Sequence, residues 1–247
     1  MDRMIFVAMS GAKHTLEQQA VVAHNLANAS TNGYRAAVSA FRAVQVEGDG
    51  LPTRAFAVAS TPGANYAPGA VQGTGRDLDV AVQGPGWIAV QLQDGGEAYT
   101  RNGSLQVSSN GLLQTRGGLN VLGEGGPVSV PPDSNIHIAR DGTVSVVSTV
   151  PPPKAVNAAG RIKLVNPDEK MMVRGGDGLF RLANGGSAEA DSRVTLASGA
   201  LEGSNVSVVE EMISMISLAR QFDLQMQLLN NAQKNDSQAS QILNIRS

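Results

Sequence analysis

Two arms that are nearly free of helix-breaking residues flank a middle segment rich in Gly and Pro. Of the 28 Gly, only Gly11 and Gly33 lie in residues 1–47, and none lies in residues 204–247. All 11 Pro lie between Pro52 and Pro167. Breaker-free segments with periodic apolar residues favour helices, whereas Gly-rich alternating segments favour short strands and turns. The pattern therefore predicts a helix at each end of the chain and a β-rich domain between them.

The C-terminal arm carries the clearest helical pattern. Ser207 and Glu210 have the spacing of a capping box, which predicts the start of the helix. Beyond them, apolar positions advance by alternating steps of four and three residues through Val208, Met212, Met215, Ala219, Phe222, Met226 and Leu229. This heptad-like spacing is typical of a coiled-coil pairing face.

The N-terminal arm has a similar but less regular spacing. Its positions are Ile5, Ala8, Ala12, Thr15, Gln19, Val22 and Leu26, and the small residues among them permit close approach of another backbone. We expect the helix to end near Asn28, with Asn32 or Gly33 supplying a left-handed turn.

The middle of the chain alternates short apolar runs with turn clusters. Strands are predicted at 78–83, 87–92, 104–108, 143–147 and 161–165. Clusters such as Asn110-Gly111 and Asp141-Gly142 indicate hairpins, for which we expect type I′ turns. Many strands at short spacing favour an antiparallel sandwich or barrel over βαβ units.

Length and charge favour an assembly role for the two arms. A helix of about 38 residues is about 57 Å long, whereas a β domain of about 150 residues is about 30 Å across. The arms carry about one charge in seven residues, against about one in four in a typical domain. We therefore interpret the arms as assembly surfaces; the alternative is an ordinary intramolecular helix pair that caps the β domain.

Composition excludes several classes of protein. The chain has no cysteine, so it has neither a disulfide framework nor a Cys-based metal site. Its 19 basic and 21 acidic residues give no basic surface for nucleic acid. Polar residues interrupt every apolar stretch, which predicts no membrane insertion. The opening residues Met1-Asp2-Arg3 lack the features of a cleaved signal peptide.

Candidate catalytic and ligand-binding residues form no coherent site. His14, His24 and His137 lack the spacing of metal ligands. Asp77 and Asp79 flank Leu78 on a predicted strand, so both would point to one face, as paired acid/base carboxylates do. The Gly clusters lack the following helix and Lys-Ser/Thr of a phosphate loop. We therefore expect no enzymatic activity, cofactor or metal; a glycan-acting enzyme that uses Asp77 and Asp79 stays an alternative.

Several motifs along the chain resemble those of the bacterial flagellar rod and hook family. The segment 23–35, AHNLANASTNGYR, is similar to the family's N-terminal signature through Asn25, Leu26, Ala27, Asn28, Thr31, Gly33 and Tyr34. Residues 78–87, 99–105 and 201–222 are similar to later family motifs in the same order. The opening residues 1–12 look most like those of proximal rod members.

The resemblance implies a structural subunit of the flagellar basal-body rod. Members of the family leave the cell through the flagellar type III export apparatus and assemble into a hollow, torque-transmitting shaft in the periplasm. The implied partners are copies of this chain, the proximal and distal rod subunits, and the export apparatus. The residues leave open an alternative of a different functional class, a secreted β-rich adhesin with helical arms.

The sequence thus predicts a mixed fold with three parts. Residues 1–34 and 204–247 form a helical assembly arm, residues 35–75 an extended or hinge segment, and residues 76–203 a β-rich domain. The residues expected to make the assembly contacts are Ile5, Ala8, Ala12, Leu26, Val208, Met212, Met215, Phe222, Met226 and Leu229.

Overall fold

The computed structural model describes residues 2–45, 55–59, 63–131, 134–148 and 156–244. Its contacts divide the chain into two compact units, each built from segments that are distant in sequence. Unit 1 consists of Met1–Asn28, Ala37–Ala64 and Val206–Ser247. Unit 2 consists of Ala29–Ala36 and Asn65–Asn205. Neither unit is continuous in sequence.

Unit 1 contains the two predicted helices. Helix α1 spans Asp2–Ala27, helix α2 spans Val208–Asn244, and the two helices pack against each other. Ser207 precedes α2, and its Oγ accepts a hydrogen bond from Glu210 N at 3.4 Å, as expected for an N-cap. The strands of unit 1 form two antiparallel pairs, β1 (Ala37–Val38) with β4 (Gly63–Ala64) and β2 (Phe41–Gln45) with β3 (Ala55–Ala59). Both pairs fall in the segment between the helices.

Unit 2 is built from short antiparallel strands, which confirms the β-rich middle of the chain. Its strands are β5 (Val71–Gly73), β6 (Val80–Gln83), β7 (Trp87–Gln91), β8 (Glu97–Thr100), β9 (Leu105–Val107), β10 (Leu113–Thr115), β11 (Asn120–Gly123), β12 (Gly126–Pro127), β13 (Ser134–Ile138), β14 (Thr143–Ser148), β15 (Asn157–Arg161), β16 (Leu164–Val165), β17 (Met172–Arg174), β18 (Phe180–Leu182), β19 (Thr195–Ser198) and β20 (Ala200–Glu202).

The strands of unit 2 assemble into one large sheet and several smaller ones. The large sheet has the order β17-β18-β8-β7-β11-β10-β9, with β12 added on β11 and β16 on β7. Smaller sheets are β13-β14-β15, β19-β6 and β20-β5. Unit 2 has a core of mostly β-branched and Leu side chains: Val80, Val82, Ile88, Val90, Ala98, Leu105, Leu113, Val121, Val128, Val130, Ile138, Val144, Val146, Ile162, Leu164, Val194 and Leu196.

The hairpin turns differ from the predicted type I′ geometry. In the turn between β13 and β14, Gly142 N donates to Ala139 O at 3.0 Å, and Ala139 N donates to Thr143 O at 2.9 Å. Gly142 has φ +86°, so this is a three-residue loop closed by one left-handed Gly. The turn after Leu92, closed by Gly95, has the same pattern. The Gly-containing turns were located correctly, but each needs one left-handed residue where a type I′ turn needs two.

The predicted strand over residues 161–165 is wrong, because the chain changes sheets there. Arg161 ends β15 in the smaller sheet, and Leu164 begins β16 on the large sheet. Between them, Ile162 N donates to Gly142 O and Lys163 N donates to Leu122 O, each at 2.8 Å. Alternation of apolar residues continues across the change of partner, which is why the pattern alone suggests a single strand.

A close backbone contact makes Gly103 a requirement of unit 2. A Cβ at this position would overlap the carbonyl oxygen of Val80. That oxygen lies on the backbone of β6 and cannot rotate away. Gly73 offers a contrast, since a Cβ there would meet no atom within 4 Å.

We predict that Gly103→Ala destabilises unit 2 by at least about 3 kcal/mol, because overpacking against a fixed backbone shifts a whole strand. Denaturant unfolding followed by the fluorescence of Trp87, the one Trp of the chain, measures the change. Gly73→Ala is the matched control and should cost less than about 1 kcal/mol. Equal effects of the two substitutions would contradict the close contact at Gly103.

Candidate assembly site

The face along which α1 and α2 pack is here called the inner seam. On α2 its less exposed positions advance by steps of four and three residues: Glu211, Met215, Leu218, Phe222, Gln225, Leu229 and Ala232. On α1 the corresponding positions are Ala8, Ala12, Thr15, Gln19, Val22 and Leu26. This is the heptad spacing of a coiled-coil interface, and the side chains at the α1 positions are mostly smaller than those at the α2 positions.

One polar contact lies in the middle of the inner seam. The Thr15 hydroxyl is 3.0 Å from Gly11 O and 3.3 Å from Gln225 Oε1, and can donate to either. A Cβ at Gly11 would come within 3.1 Å of Gln225 Nε2. Gly11 therefore leaves room for the amide of Gln225 against α1.

A second polar contact closes the seam near the end of α1. The side chain of Asn25 is buried. Its Oδ1 accepts from Ala37 N at 2.8 Å, while its Nδ2 donates to Ala37 O at 3.0 Å and to Glu211 Oε1 at 2.9 Å. The amide thus pairs with the Ala37 backbone as a neighbouring strand would, and it also links α1 to α2.

Each helix also has a second apolar face that lies away from the inner seam. The outer α2 stripe comprises Val209, Met212, Ile213, Ile216, Leu224 and Leu228, all exposed. The outer α1 stripe comprises Phe6, Met9, Leu16, Ala20, Ala23 and Ala27, also exposed. Val209 and Ile213 are 67% and 63% exposed, and rows of such residues are typical of interaction surfaces.

The structure places nine of the ten predicted assembly residues in two groups. Those in the inner seam are Ala8, Ala12, Leu26, Met215, Phe222 and Leu229. Those exposed on α2 are Val208, Met212 and Met226. Ile5 lies within α1, but its side chain is outside the described residues. As contacts between subunits, the ten stay a prediction.

The remaining motif residues end α1 and lead into unit 2. Ala27 is the last residue of α1, and Asn28 Nδ2 donates to His24 O at 2.9 Å. Thr31 is exposed, and Tyr34 is buried under the guanidinium of Arg174, which lies 4.5 Å from the ring centroid. The predicted left-handed residue is Gly33, with φ +68°. A Cβ there would overlap the carbonyl carbon of Arg101.

Sequence reasoning missed a buried ionic cluster in unit 2. Glu202 and Arg35 are each 1% exposed, and Glu202 Oε1 lies 2.7 Å from Arg35 Nη1. Oε2 accepts from Arg101 Nη1 at 3.0 Å, and Oε1 also accepts from Gly69 N at 2.9 Å. Gly33 N donates to the backbone oxygen of Glu202 at 2.7 Å. Glu202 therefore joins three segments that are far apart in sequence.

The ring of Trp87 partly balances the excess positive charge of this cluster. The guanidinium carbons of Arg35 and Arg101 lie 5.9 Å and 5.3 Å from its centroid. Aromatic faces attract cations, and more so away from water. Burial lowers the pKa of Arg101, and the nearby charge of Arg35 lowers it further, while Glu202 opposes both effects. The two buried guanidinium groups therefore depend on the carboxylate of Glu202 for their counter-charge.

Asn205 makes a second set of contacts that sequence reasoning missed. Its Oδ1 accepts from Ala36 N at 2.7 Å. Its Nδ2 donates to Asn65 O at 2.8 Å and to Ala67 O at 2.9 Å. One side chain thus replaces strand pairing for two separate stretches of backbone. The available signal was that Arg35, Glu202 and Asn205 all fall inside motifs at the two ends of the chain.

The candidate catalytic carboxylates do not form a pair. Asp79 is buried and accepts from Arg76 Nη1 at 3.0 Å and from Ser104 Oγ at 3.3 Å, whereas Asp77 is exposed. Strand β6 begins only at Val80, so the alternation that would place both on one face does not apply. Among the described residues, no cluster of His, Asp or Glu is arranged to hold a metal ion.

Three family models match the chain in the order that its motifs suggest. "Flagella basal body rod protein" matches residues 5–35, "Flagellar hook protein FlgE/F/G D1 domain" matches residues 81–146, and "Flagellar basal body rod FlgEFG protein C-terminal" matches residues 197–242. The first and third matches cover most of α1 and α2 together with the motif residues that follow or precede them.

Curated relatives match over the whole chain. Flagellar basal-body rod protein FlgF of Salmonella typhimurium is 48% identical, across 99% of this chain and 100% of the relative. FlgF of Escherichia coli matches with the same identity and coverage. FlgG of Bacillus subtilis is 29% identical over 90% of this chain and 92% of the relative. The chain therefore belongs to the flagellar basal-body rod protein family.

Membership of this family decides between the structural subunit, the adhesin and the enzyme that the sequence left open. The chain is a structural subunit of the basal-body rod that assembles with other rod components, and it is not an enzyme. Among the described residues, neither helix is long and apolar enough to cross a bilayer.

We predict that Glu202→Gln destabilises unit 2 by about 3–5 kcal/mol, because two buried guanidinium groups lose their counter-charge. Unfolding followed by Trp87 fluorescence reports directly on this cluster. Glu124→Gln is the matched control: Glu124 pairs with Arg161 at 3.6 Å on the surface, and its loss should cost less than about 1 kcal/mol. A Glu202→Gln variant as stable as this control would contradict the role of Glu202.

We predict that Asn25→Ala destabilises unit 1 by about 2–4 kcal/mol, since Ala37 N and O lose a buried partner. Loss of helical circular dichroism during thermal or denaturant unfolding measures the effect. Asn28→Ala, which removes a side chain whose bond to His24 O is exposed, should cost less than about 1 kcal/mol. If both variants unfold together with the wild type, the Asn25 contact does not stabilise the helices.

Proposed function

We propose that this rod subunit polymerises through its two terminal helices, as part of the hollow, torque-transmitting shaft of the proximal rod. The observation that carries the proposal is that α1 and α2 each bury one face in the inner seam and expose a second apolar face. An intramolecular helix pair needs only the inner seam. The outer stripes therefore require another explanation, and contact with neighbouring subunits supplies it.

The low charge of the arms supports the same proposal. Uncharged polar residues occupy much of α2 outside its apolar positions, as at Gln221, Gln227, Asn230, Asn231 and Gln238. Burial of such residues between subunits avoids the cost of desolvating ions, provided that their amides find partners. A helical unit packed on several sides tolerates this composition.

The proposed environment and partners follow the family. We place the rod in the periplasm and infer passage through the flagellar type III export apparatus, which the absence of cysteine suits, because an unfolded chain then forms no misplaced disulfide. Partners are copies of this chain and the other proximal and distal rod subunits. Relatives named FlgF and FlgG support this set of neighbours.

We also propose that three parts of the chain have different roles. Residues 1–34 and 204–247 act as the assembly arm, residues 76–203 as a sandwich-like β domain, and residues 35–75 as the hinge segment. The chain passes from one unit to the other at residues 36–37 and again at residues 64–65, and both points lie within residues 35–75. This supports a connecting role for that segment.

We predict that Ile216→Glu abolishes incorporation into the rod while changing the stability of the free chain by less than about 0.5 kcal/mol, because Ile216 is exposed in the monomer. Incorporation is measured by immunoblotting of isolated basal bodies from cells that carry only the variant, and stability by denaturant unfolding.

Asn230→Glu is the matched control for this prediction. It introduces the same charge at an exposed polar position of α2 with no member of the outer stripe three or four residues away, and we expect near-normal incorporation. Normal incorporation of Ile216→Glu would contradict assembly through the outer α2 stripe. Loss of folding in the free variant would instead show that Ile216 contributes to the monomer.

A further inference from the structure

The methionine side chains differ widely in their exposure to solvent. Those that the structure describes are Met9, Met171, Met172, Met212, Met215 and Met226. Met9 and Met212 are 53% and 50% exposed, and they belong to the outer α1 stripe and the outer α2 stripe. In unit 2, Met171 is 49% exposed, whereas its neighbour Met172 is 7% exposed. Each outer stripe therefore presents a thioether sulfur on the surface of the free chain.

Oxidation of a methionine needs only a peroxide and an accessible sulfur. A lone pair of the thioether sulfur attacks one oxygen of hydrogen peroxide, the O–O bond breaks, and a sulfoxide and one water molecule are formed. The sulfur loses two electrons and the peroxide gains them, so the reaction needs no other reactant. The product is a polar side chain in place of an apolar one. Exposure of the sulfur therefore decides which methionines of a folded chain react first.

A sulfoxide at Met9 or Met212 affects the free subunit and an assembled subunit differently. In the free chain both side chains are exposed, so water hydrates the new oxygen and the folded contacts stay as they are. When the stripe is covered, the oxygen loses this water, and burial of a polar group without a hydrogen bond is unfavourable. The outer stripes supply no replacement nearby, because side chains such as those of Phe6 and Ile213 have no donor.

We propose that Met9 and Met212 are oxidation sites of the free subunit, and that their conversion to sulfoxides by a peroxide blocks entry into the rod without unfolding the chain. Reductases return methionine sulfoxide to methionine, so the modification is a reversible control on assembly. The inference rests on the proposed assembly through the outer stripes. It adds to that proposal a chemical modification and the residues that carry it.

Peptide mass spectrometry of the purified full-length chain during exposure to hydrogen peroxide tests the assigned sites. We expect Met9 and Met212 to become sulfoxides several-fold faster than Met172, while the helical circular dichroism of the chain stays unchanged. Met171 and Met172 serve as an internal control for exposure, since they are neighbours in sequence and only Met171 is exposed. Oxidation of Met212 as slow as that of Met172, or loss of helix as Met9 and Met212 react, would overturn the inference.

Substitution by Gln tests the consequence for assembly. Gln is polar like the sulfoxide, and its helix propensity is close to that of Met. In cells that carry only the variant, Met9→Gln/Met212→Gln should lower the amount of chain in isolated basal bodies at least about ten-fold, because polar groups become buried without partners. The denaturant midpoint of the free variant should equal that of the wild type.

Two matched controls isolate the polarity and the position of the change. Met9→Leu/Met212→Leu removes both sulfur atoms but keeps the stripes apolar, and it should enter basal bodies normally. Met171→Gln places the same polar group at an equally exposed position outside the helices, and it should also enter normally. Equal loss of incorporation with the Leu pair and the Gln pair would overturn the inference, because polarity would then not be the cause.

The outcomes separate this inference from the proposed function. Normal incorporation of Met9→Gln/Met212→Gln, with Ile216→Glu still excluded from basal bodies, would overturn the inference and leave assembly through the outer α2 stripe intact. Normal incorporation of Ile216→Glu would overturn the proposed function itself. Loss of incorporation confined to the Gln pair, together with fast oxidation of Met9 and Met212, supports the inference.

Discussion

The antiparallel seam between α1 and α2 decides which surfaces of the helical unit stay exposed. Apolar packing alone would allow the helices to slide by a heptad, since each seam repeats every seven residues. Two polar contacts, Thr15 with Gln225 and Asn25 with Glu211, oppose such a slip, because it would leave buried donors and acceptors unpaired. Once this register is set, the outer stripes have defined positions.

The motifs that identify the family have direct physical roles in this fold. Asn25 pairs with the Ala37 backbone, Gly33 adopts a left-handed conformation against Arg101, and Arg35 lies buried beside Glu202. Residues from the two ends of the chain thus complete each unit: Asn25 meets Glu211 in unit 1, and Arg35 meets Glu202 in unit 2. Each unit therefore needs residues from both ends of the chain to complete these contacts.

Local sequence patterns predicted the helices and hairpins, but they could not predict contacts between residues that are distant in sequence. The heptad spacing and the absence of breakers located α1 and α2, and the Gly-containing turns located the hairpins. The break of the predicted strand 161–165 depends on Gly142 and Leu122, which no local pattern reveals. The cluster of Arg35, Arg101 and Glu202 was missed for the same reason, since its members are 66 to 167 residues apart. The predicted α2 stripe mixed seam residues such as Phe222 with exposed ones such as Met212, because α2 is apolar on two faces.

We propose that the outer faces of both helices, which are exposed in the free subunit, are covered in the rod. Hydrogen exchange, resolved by peptide and compared between the purified full-length chain and isolated basal bodies, tests it most directly. We expect peptides from residues 6–27 and 208–231 to exchange markedly more slowly in the rod than in the free chain, while peptides from the core of unit 2 change little. Equal exchange rates for both helices in the two states would contradict the claim.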